Sequence, residues 1–250
     1  MSAPAKRRAG GEPVSYRIVP VDPHAHLFEI ALTIAQPDPE GQRVTLPAWI
    51  PGSYMIREFA RHVVSIDARS GARAVRLRKL DKHTWQAARC DGPLTLVYRV
   101  HAWDLSVRAA HLDATHGFFN GTSVFLRVLG QEDQPCDVLI EPPAGDEYAD
   151  WRVATTLPEA GARRHGFGRY RAADYDELVD HPVETGRFTL AGFEAGGVRH
   201  EVAITGRHDA DTERLCRDLA RVCAQQARLF EPRTRRAPVE RYLFLVMAVG

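Results

Sequence analysis

The chain has 250 residues, 44% of them apolar and 26% charged, which is ordinary globular composition and enough for one large domain or one domain and part of another. With 33 Lys+Arg against 32 Asp+Glu the net charge is +1, so no global field favours nucleic acid or an anionic membrane, and neither partner is expected. No apolar run approaches the roughly eighteen residues of a spanning helix, and the basic start of the chain is not followed by an apolar signal region, so a cytoplasmic protein is expected.

Residues 1–14 are basic, Gly-rich and aperiodic and read as a disordered tail. Residues 16–19 and 28–34 then alternate with period two, the mark of strands with one buried face. Further strands are expected over 63–66, 74–80, 83–87, 94–102, 123–129, 136–141 and 151–155, divided by Gly-, Pro- and Asp-rich turns. No long helix is available to cover a parallel sheet. The expected fold class is therefore mainly β, an antiparallel β-sandwich over residues 15–176.

Two connections stand out. Between residues 46 and 63 the chain reads L-P-A-W-I-P-G-S-Y-M-I-R-E-F-A-R-H-V, with Pro51-Gly52 suited to a type II turn. A strand should end near Ile50, and Ser53 can cap a short helical turn. Trp49, Tyr54 and Arg57 are thus held on a stiff link. The second connection, residues 101–122, is long and aromatic for a compact sandwich and closes on the turn dipeptide Asn120-Gly121, with Thr122 starting the next strand. Each connection reads as either a packed corner or a recognition loop. The candidate substrate-binding residues are Trp49, Tyr54, Arg57, Asn120 and Gly121.

Residues 174–186, D-Y-D-E-L-V-D-H-P-V-E-T-G, hold a helical turn that should stop by His181, because the residue before Pro182 is biased away from the helical region. The domain boundary is expected here, between residues 176 and 177. Beyond it, 198–205 alternates like a strand, and Asp209 or Asp211 can cap a helix that runs to about Phe230. Leu215, Leu219, Val222, Cys223 and Phe230 give that helix one apolar face. Residues 242–249 form an apolar run fit for a buried strand but without covering elements of its own. Its edge and the helix face invite self-association.

The four cysteines, Cys90, Cys136, Cys216 and Cys223, include no C-x-x-C pair and read as buried thiols. His200-Glu201 imitates the opening of the zinc motif H-E-x-x-H, but the fifth position is Ile204 and the periodicity is that of a strand, which turns the two side chains to opposite faces. The pairs His24/His26 and His111/His116 each lack a third ligand. No nucleophile elbow, Walker loop or dinucleotide fingerprint appears, so no catalytic residue and no metal ligand is assigned within the chain.

The run over 46–63 resembles the signature of the N-terminal domain of the glycyl aminopeptidases, the PDZ-containing zinc metallopeptidases of the gluzincin type. Residues 118–125, F-F-N-G-T-S-V-F, and the run over 174–186 are similar to further stretches of that family, the latter to its passage from sandwich to catalytic domain. The resemblance implies a β-sandwich followed by a thermolysin-like α/β catalytic domain, of which residues 177–250 are the truncated beginning. It also implies zinc and peptide substrates in the complete enzyme, which removes small N-terminal residues, glycine or alanine, through a zinc-bound water. The zinc motif itself lies in no part of this sequence, so the chain alone is expected to be inactive and to need no cofactor. Two other readings stay open on the residues: a peptide-binding module, and an assembly domain with no ligand.

Overall fold

The computed structural model describes residues 12–50, 52–53 and 55–249. The expected tail therefore lies, up to residue 11, outside the described residues. The chain runs through β1 (Val14–Asp22), β2 (Leu27–Ile34), β3 (Arg43–Thr45), β4 (Val63–Ser70), β5 (Arg73–Val75), β6 (Leu77–Lys79) and β7 (Thr84–Ala87). It continues through β8 (Leu94–His101), β9 (Ala110–Leu112), β10 (His116–Phe119), β11 (Arg127–Val128), β12 (Cys136–Ile140), β13 (Arg152–Ala154) and β14 (Gly168–Ala172). Helix α1 (Tyr175–Asp180), β15 (Val183–Gly186), β16 (Phe188–Ala195), β17 (Val198–Thr205), α2 (Thr212–Phe230) and β18 (Arg241–Met247) complete it.

The fold is mainly β, as the alternating segments require. A seven-stranded sheet in the order β14-β12-β1-β2-β8-β4-β5 forms one layer. Its inner face is written in the sequence: every second residue of β2 (Phe28, Ile30, Leu32, Ile34) and of β8 (Leu94, Leu96, Tyr98, Val100) is buried. Two four-stranded sheets, β11-β3-β7-β6 and β13-β15-β10-β9, supply the residues that meet this face, among them Trp85, Leu112, Phe119 and Val183. Phe28 and Phe119 touch edge to face across the layers at 5.6 Å.

The pairing is antiparallel except where β1 runs parallel to β12 and β17 parallel to β18. The strand expected over 74–80 is divided at Arg76: β5 pairs with β4 in the large sheet, while β6 pairs with β7 in a small one. That segment turns a corner of the sandwich. The strand expected over 123–129 shrinks to β11, because residues 124–126 satisfy their backbone differently. Tyr98, Tyr175 and Tyr16 donate their hydroxyls to the carbonyls of Val124, Phe125 and Leu126 at 2.7, 2.7 and 2.8 Å, and the Leu126 amide donates back to Tyr98 at 3.1 Å. Three buried tyrosines thus replace a strand partner. Burial holds the Tyr98 phenol well above its ordinary pKa, so it stays a donor.

The expected strands leave out β3, β14, β15 and β16, and the connection over 101–122 contains the hairpin β9–β10. The expected junction at residue 177 falls inside α1, whose Leu178 and Val179 join the sandwich core together with Val183 of β15. A second, smaller cluster comprises Ala154, Phe188 and Ala203, with Leu243 and Leu245 against it. It lies under the three-stranded sheet β16-β17-β18. Asp211 is the N-cap of α2, accepting from the Arg214 amide at 2.9 Å. The helix turns Leu215, Leu219 and Cys223 half inward and buries Ala227, whereas Val222 and Phe230, expected on its core face, are 55% and 72% exposed. β18 is half-buried rather than covered on both faces, with Tyr242 and Val246 exposed. All four cysteines are free, and only Cys136 is buried, its thiol pushed up to about 12 mainly by burial.

Candidate functional site

Gly52 takes φ +78°, as the expected turn requires, and the Ser53 amide donates to Ile50 O at 3.1 Å. Pro51 and the candidate Tyr54 lie outside the described residues. Ser53 caps no helix; the short helical turn comes later, at Phe59–His62, entered through Glu58 at φ 39°. The Arg57 amide closes the loop on Ala48 O at 2.6 Å, and its guanidinium reaches Ser53 Oγ at 3.4 Å.

Trp49 is 53% exposed and lines a cleft of about 810 Å³ together with Thr122, Asp176, Asp180 and His181. Asn120 and Gly121 do not line this cleft but fix the turn that presents Thr122 to it. Asn120 Oδ1 accepts from the Thr122 amide at 3.2 Å and from Thr122 Oγ1 at 2.7 Å, capping the turn Gly121–Ser123; no strand starts at Thr122. Gly121 lies so close to α1 that an added Cβ would stand 2.9 Å from Val179 Cα. The two aromatic connections thus meet at Trp49 and Thr122. Arg57 lines a separate depression of about 380 Å³ with Met55, Ile56, His62 and Asp104.

Helix α1 and the residue after it border two clefts. Asp174 caps the helix, accepting from the Glu177 amide at 2.8 Å. A second cleft, of about 770 Å³, is lined by Glu159, Glu177, Asp180, His181, Tyr242 and Leu245. Glu177, Asp180 and His181 belong to both clefts, so an acidic ridge separates the Trp49 side from β18. His181 is held to Thr156 Oγ1 at 2.6 Å, and burial lowers its pKa. Such a ridge can hold a cationic group between an aromatic face and carboxylates.

A third arrangement escaped the sequence reading in part. The hairpin β9–β10 brings His111, Asp113 and His116 together, giving the histidine pair the third group it lacked in the sequence. Asp113 Oδ1 accepts from the amides of Thr115 and His116 at 2.6 and 3.0 Å, and Oδ2 from His111 Nε2 at 3.2 Å. Burial pushes this carboxyl up, but those hydrogen bonds outweigh it and hold the pKa well below the usual range. His116 Nδ1 donates to the buried Glu184 Oε1 at 3.1 Å, and Thr205 Oγ1 donates to the same oxygen at 2.8 Å. The imidazoles of His111 and His116 stack at 4.8 Å, with Trp103 on the other side of His111 at 4.9 Å. They border a cavity of about 780 Å³ that also meets Trp151, Arg187 and Arg207.

The other histidine candidates part company. His26 donates to Leu112 O at 2.6 Å and stacks on Trp103, while His24 is exposed. His200 and Glu201 sit on β17; Glu201 pairs with Arg164 and lies 3.6 Å from His165 Nε2, so neither residue belongs to a zinc helix. The catalytic H-E-x-x-H motif is not met anywhere in the sequence.

The family model described as Peptidase M61 N-terminal domain matches residues 15–187. Among solved structures, an aminopeptidase N family protein from Idiomarina loihiensis is 44% identical, with a TM-score of 0.89 over 95% of this chain and 39% of its own. The chain thus spans about two fifths of that relative. An M1 zinc metallopeptidase from Deinococcus radiodurans, a mutant bound to a Tyr-Ser-Ala substrate, is 14% identical with a TM-score of 0.54, covering 96% of this chain and 56% of its own. At that identity the likeness concerns the fold alone. A search of curated proteins gives no match.

Proposed function

The chain belongs to the family of Peptidase M61 N-terminal domains, and from that membership we propose that it forms one wall of the substrate cleft of a zinc aminopeptidase acting on small N-terminal residues, glycine or alanine. The observation that carries this reading is the meeting of Trp49, Thr122 and the acidic ridge of α1 in one cleft. Trp49 offers an apolar face, and Asp176 and Asp180 offer carboxylates to a substrate ammonium. Asn120 and Gly121 fix the Thr122 turn of this wall; Arg57 lines a separate depression, and Tyr54 is assigned to the wall on the sequence resemblance alone. In this reading the zinc-bound water and its base are not supplied by residues 1–250, so these residues alone are catalytically silent.

The division between the two units is proposed near Arg187 rather than at residue 177. The family match ends there, and apart from Ala154 the second apolar cluster is built from residues beyond that point. The half-exposed β18 and the exposed Val222, Leu229 and Phe230 of α2 support self-association of this chain.

The test is an assay of the chain with glycyl and alanyl p-nitroanilides, with and without zinc, beside the full-length enzyme. Turnover is expected only from the full-length enzyme. Metal-dependent turnover by residues 1–250 well above the blank overturns the reading.

A further inference from the structure

We propose that His111, Asp113 and His116 form a binding site for one divalent ion of the zinc class, at the edge of the cavity that Trp103, Trp151 and Arg187 line. The proposal does not rest on the aminopeptidase reading.

Geometry comes first. Each of the three residues offers one ligand atom, and these atoms lie within 4.8 Å of one another. A tetrahedral ion with bonds of about 2.0–2.1 Å sets its ligand atoms about 3.3 Å apart. His111 Nε2 and Asp113 Oδ2 are already 3.2 Å apart, so the ion has to replace the proton between them and the imidazoles, stacked at 4.8 Å, have to turn until His116 faces the same point. The backbone is fixed for this purpose, because both histidines stand on paired strands and Asp113 is locked by three hydrogen bonds in the turn between them.

The surroundings are those of a ligand shell. Metal-bound histidines hold their second nitrogen on a carboxylate or carbonyl, which fixes the tautomer and the ring. Glu184 does this for His116 at Nδ1, leaving Nε2 for the ion, and Thr205 in turn orients Glu184. Glu184 is buried in β15, an expensive place for a carboxylate that does no more than support a surface turn. His111 lacks such a partner: it is 7% exposed, its Nδ1 has no hydrogen-bond partner among the described residues, and its ring is held instead by stacking on Trp103 and His116. A donor set of two imidazoles and one carboxylate suits zinc or cobalt, not magnesium, which requires oxygen ligands throughout. Three protein ligands leave a fourth position open toward the cavity for water or a carboxylate.

The experiment equilibrates the untagged chain with Zn²⁺, Co²⁺ or Mg²⁺, removes free metal, and reads metal content, the visible spectrum of the Co²⁺ form and the thermal midpoint. One Zn²⁺ or Co²⁺ per chain, no Mg²⁺, and a raised midpoint are expected. Asp113→Asn together with His116→Ala should lose the ion, and Glu184→Gln should weaken it by about ten- to a hundredfold. Cys136→Ser and Cys223→Ser should keep it. Should the double variant fail to fold, ¹⁵N shifts of the imidazole nitrogens in the wild-type chain decide, since Zn²⁺ must move His111 and His116 first. Less than stoichiometric binding, retention in a folded double variant, or shifts confined to other histidines each overturn the site.

Discussion

The sandwich and the region after Arg187 are built from equally clear patterns, yet the sandwich buries them in one large core, whereas after Arg187 burial is concentrated in β17 and leaves α2 and β18 half-covered. In the first, three tyrosines, the alternate residues of β2 and β8 and the apolar side of α1 close one continuous core. In the second, a nineteen-residue helix buries Ala227 alone, and the cluster beneath the sheet is Phe188 and Ala203 with Ala154 of the first unit, Leu243 and Leu245 against them. Amphipathic periodicity decides which elements form, whereas stability comes from what covers them. Local opening should follow that difference. In a hydrogen-exchange experiment, residues 188–249 should exchange by sub-global opening well before the β1, β2 and β8 amides, which wait for global unfolding. Equal protection in a strictly monomeric sample breaks the comparison.

The second expected effect separates residues that present a surface from residues that shape one. Trp49→Ala in the full-length enzyme should lower kcat/KM by about tenfold to a thousandfold, on the scale of about 1.4 kcal/mol per decade, with zinc content and thermal midpoint unchanged. Its exposure makes a stability loss unnecessary. A lowered midpoint with kcat/KM intact would return Trp49 to a packed corner. Gly121→Ala should act in the opposite way. The new methyl group meets Val179 Cα at 2.9 Å, and overpacking of this kind costs about 1–3 kcal/mol, read as a shifted denaturant midpoint of the sandwich alone.

Much of the first unit was legible because one-sided burial writes itself as alternation, as in β2 and β8. β15 was not, since all four of its residues are buried and a strand covered on both faces has no period to read. The segment 124–126 misled for a different reason. Its apolar run is strand-like, but distant tyrosine hydroxyls take its carbonyls, and no local pattern records a partner that is far away in sequence. At the site, turn chemistry pointed correctly to the Gly52 turn and to Asn120-Gly121 as a structured turn. It could not show that Asn120 folds onto Thr122. The pair His111 and His116 stood out in the sequence without a third ligand, and only the β9–β10 hairpin brings Asp113 to it as a cluster.

The smallest expected effect concerns how the two regions are held together. Arg164, in the loop before β14, pairs with Glu201 on β17, and Arg241 of β18 reaches back to Glu159 at 2.9 Å and to Leu157 O at 2.6 Å. Arg152 stands over the Phe188 ring at 4.2 Å. Burial by itself would raise the Glu201 carboxyl, but the Arg164 hydrogen bond and the charges of Arg164, His165 and Arg199 bring it below the ordinary glutamate range. A carboxyl lowered in the folded state contributes stability that is present above its unfolded pKa and is lost as pH falls through the folded one. Docking of residues 188–249 should therefore weaken below about pH 4.5. Glu201→Gln should remove the same contribution at neutral pH, about 1–2 kcal/mol given that Arg164 is partly exposed. The measurement is exchange in β16 and β17 against pH in both proteins. Faster exchange in the variant at pH 7, with the two curves meeting in acid, sharpens the comparison; parallel curves at every pH would show that the Phe188 cluster alone holds the second region in place.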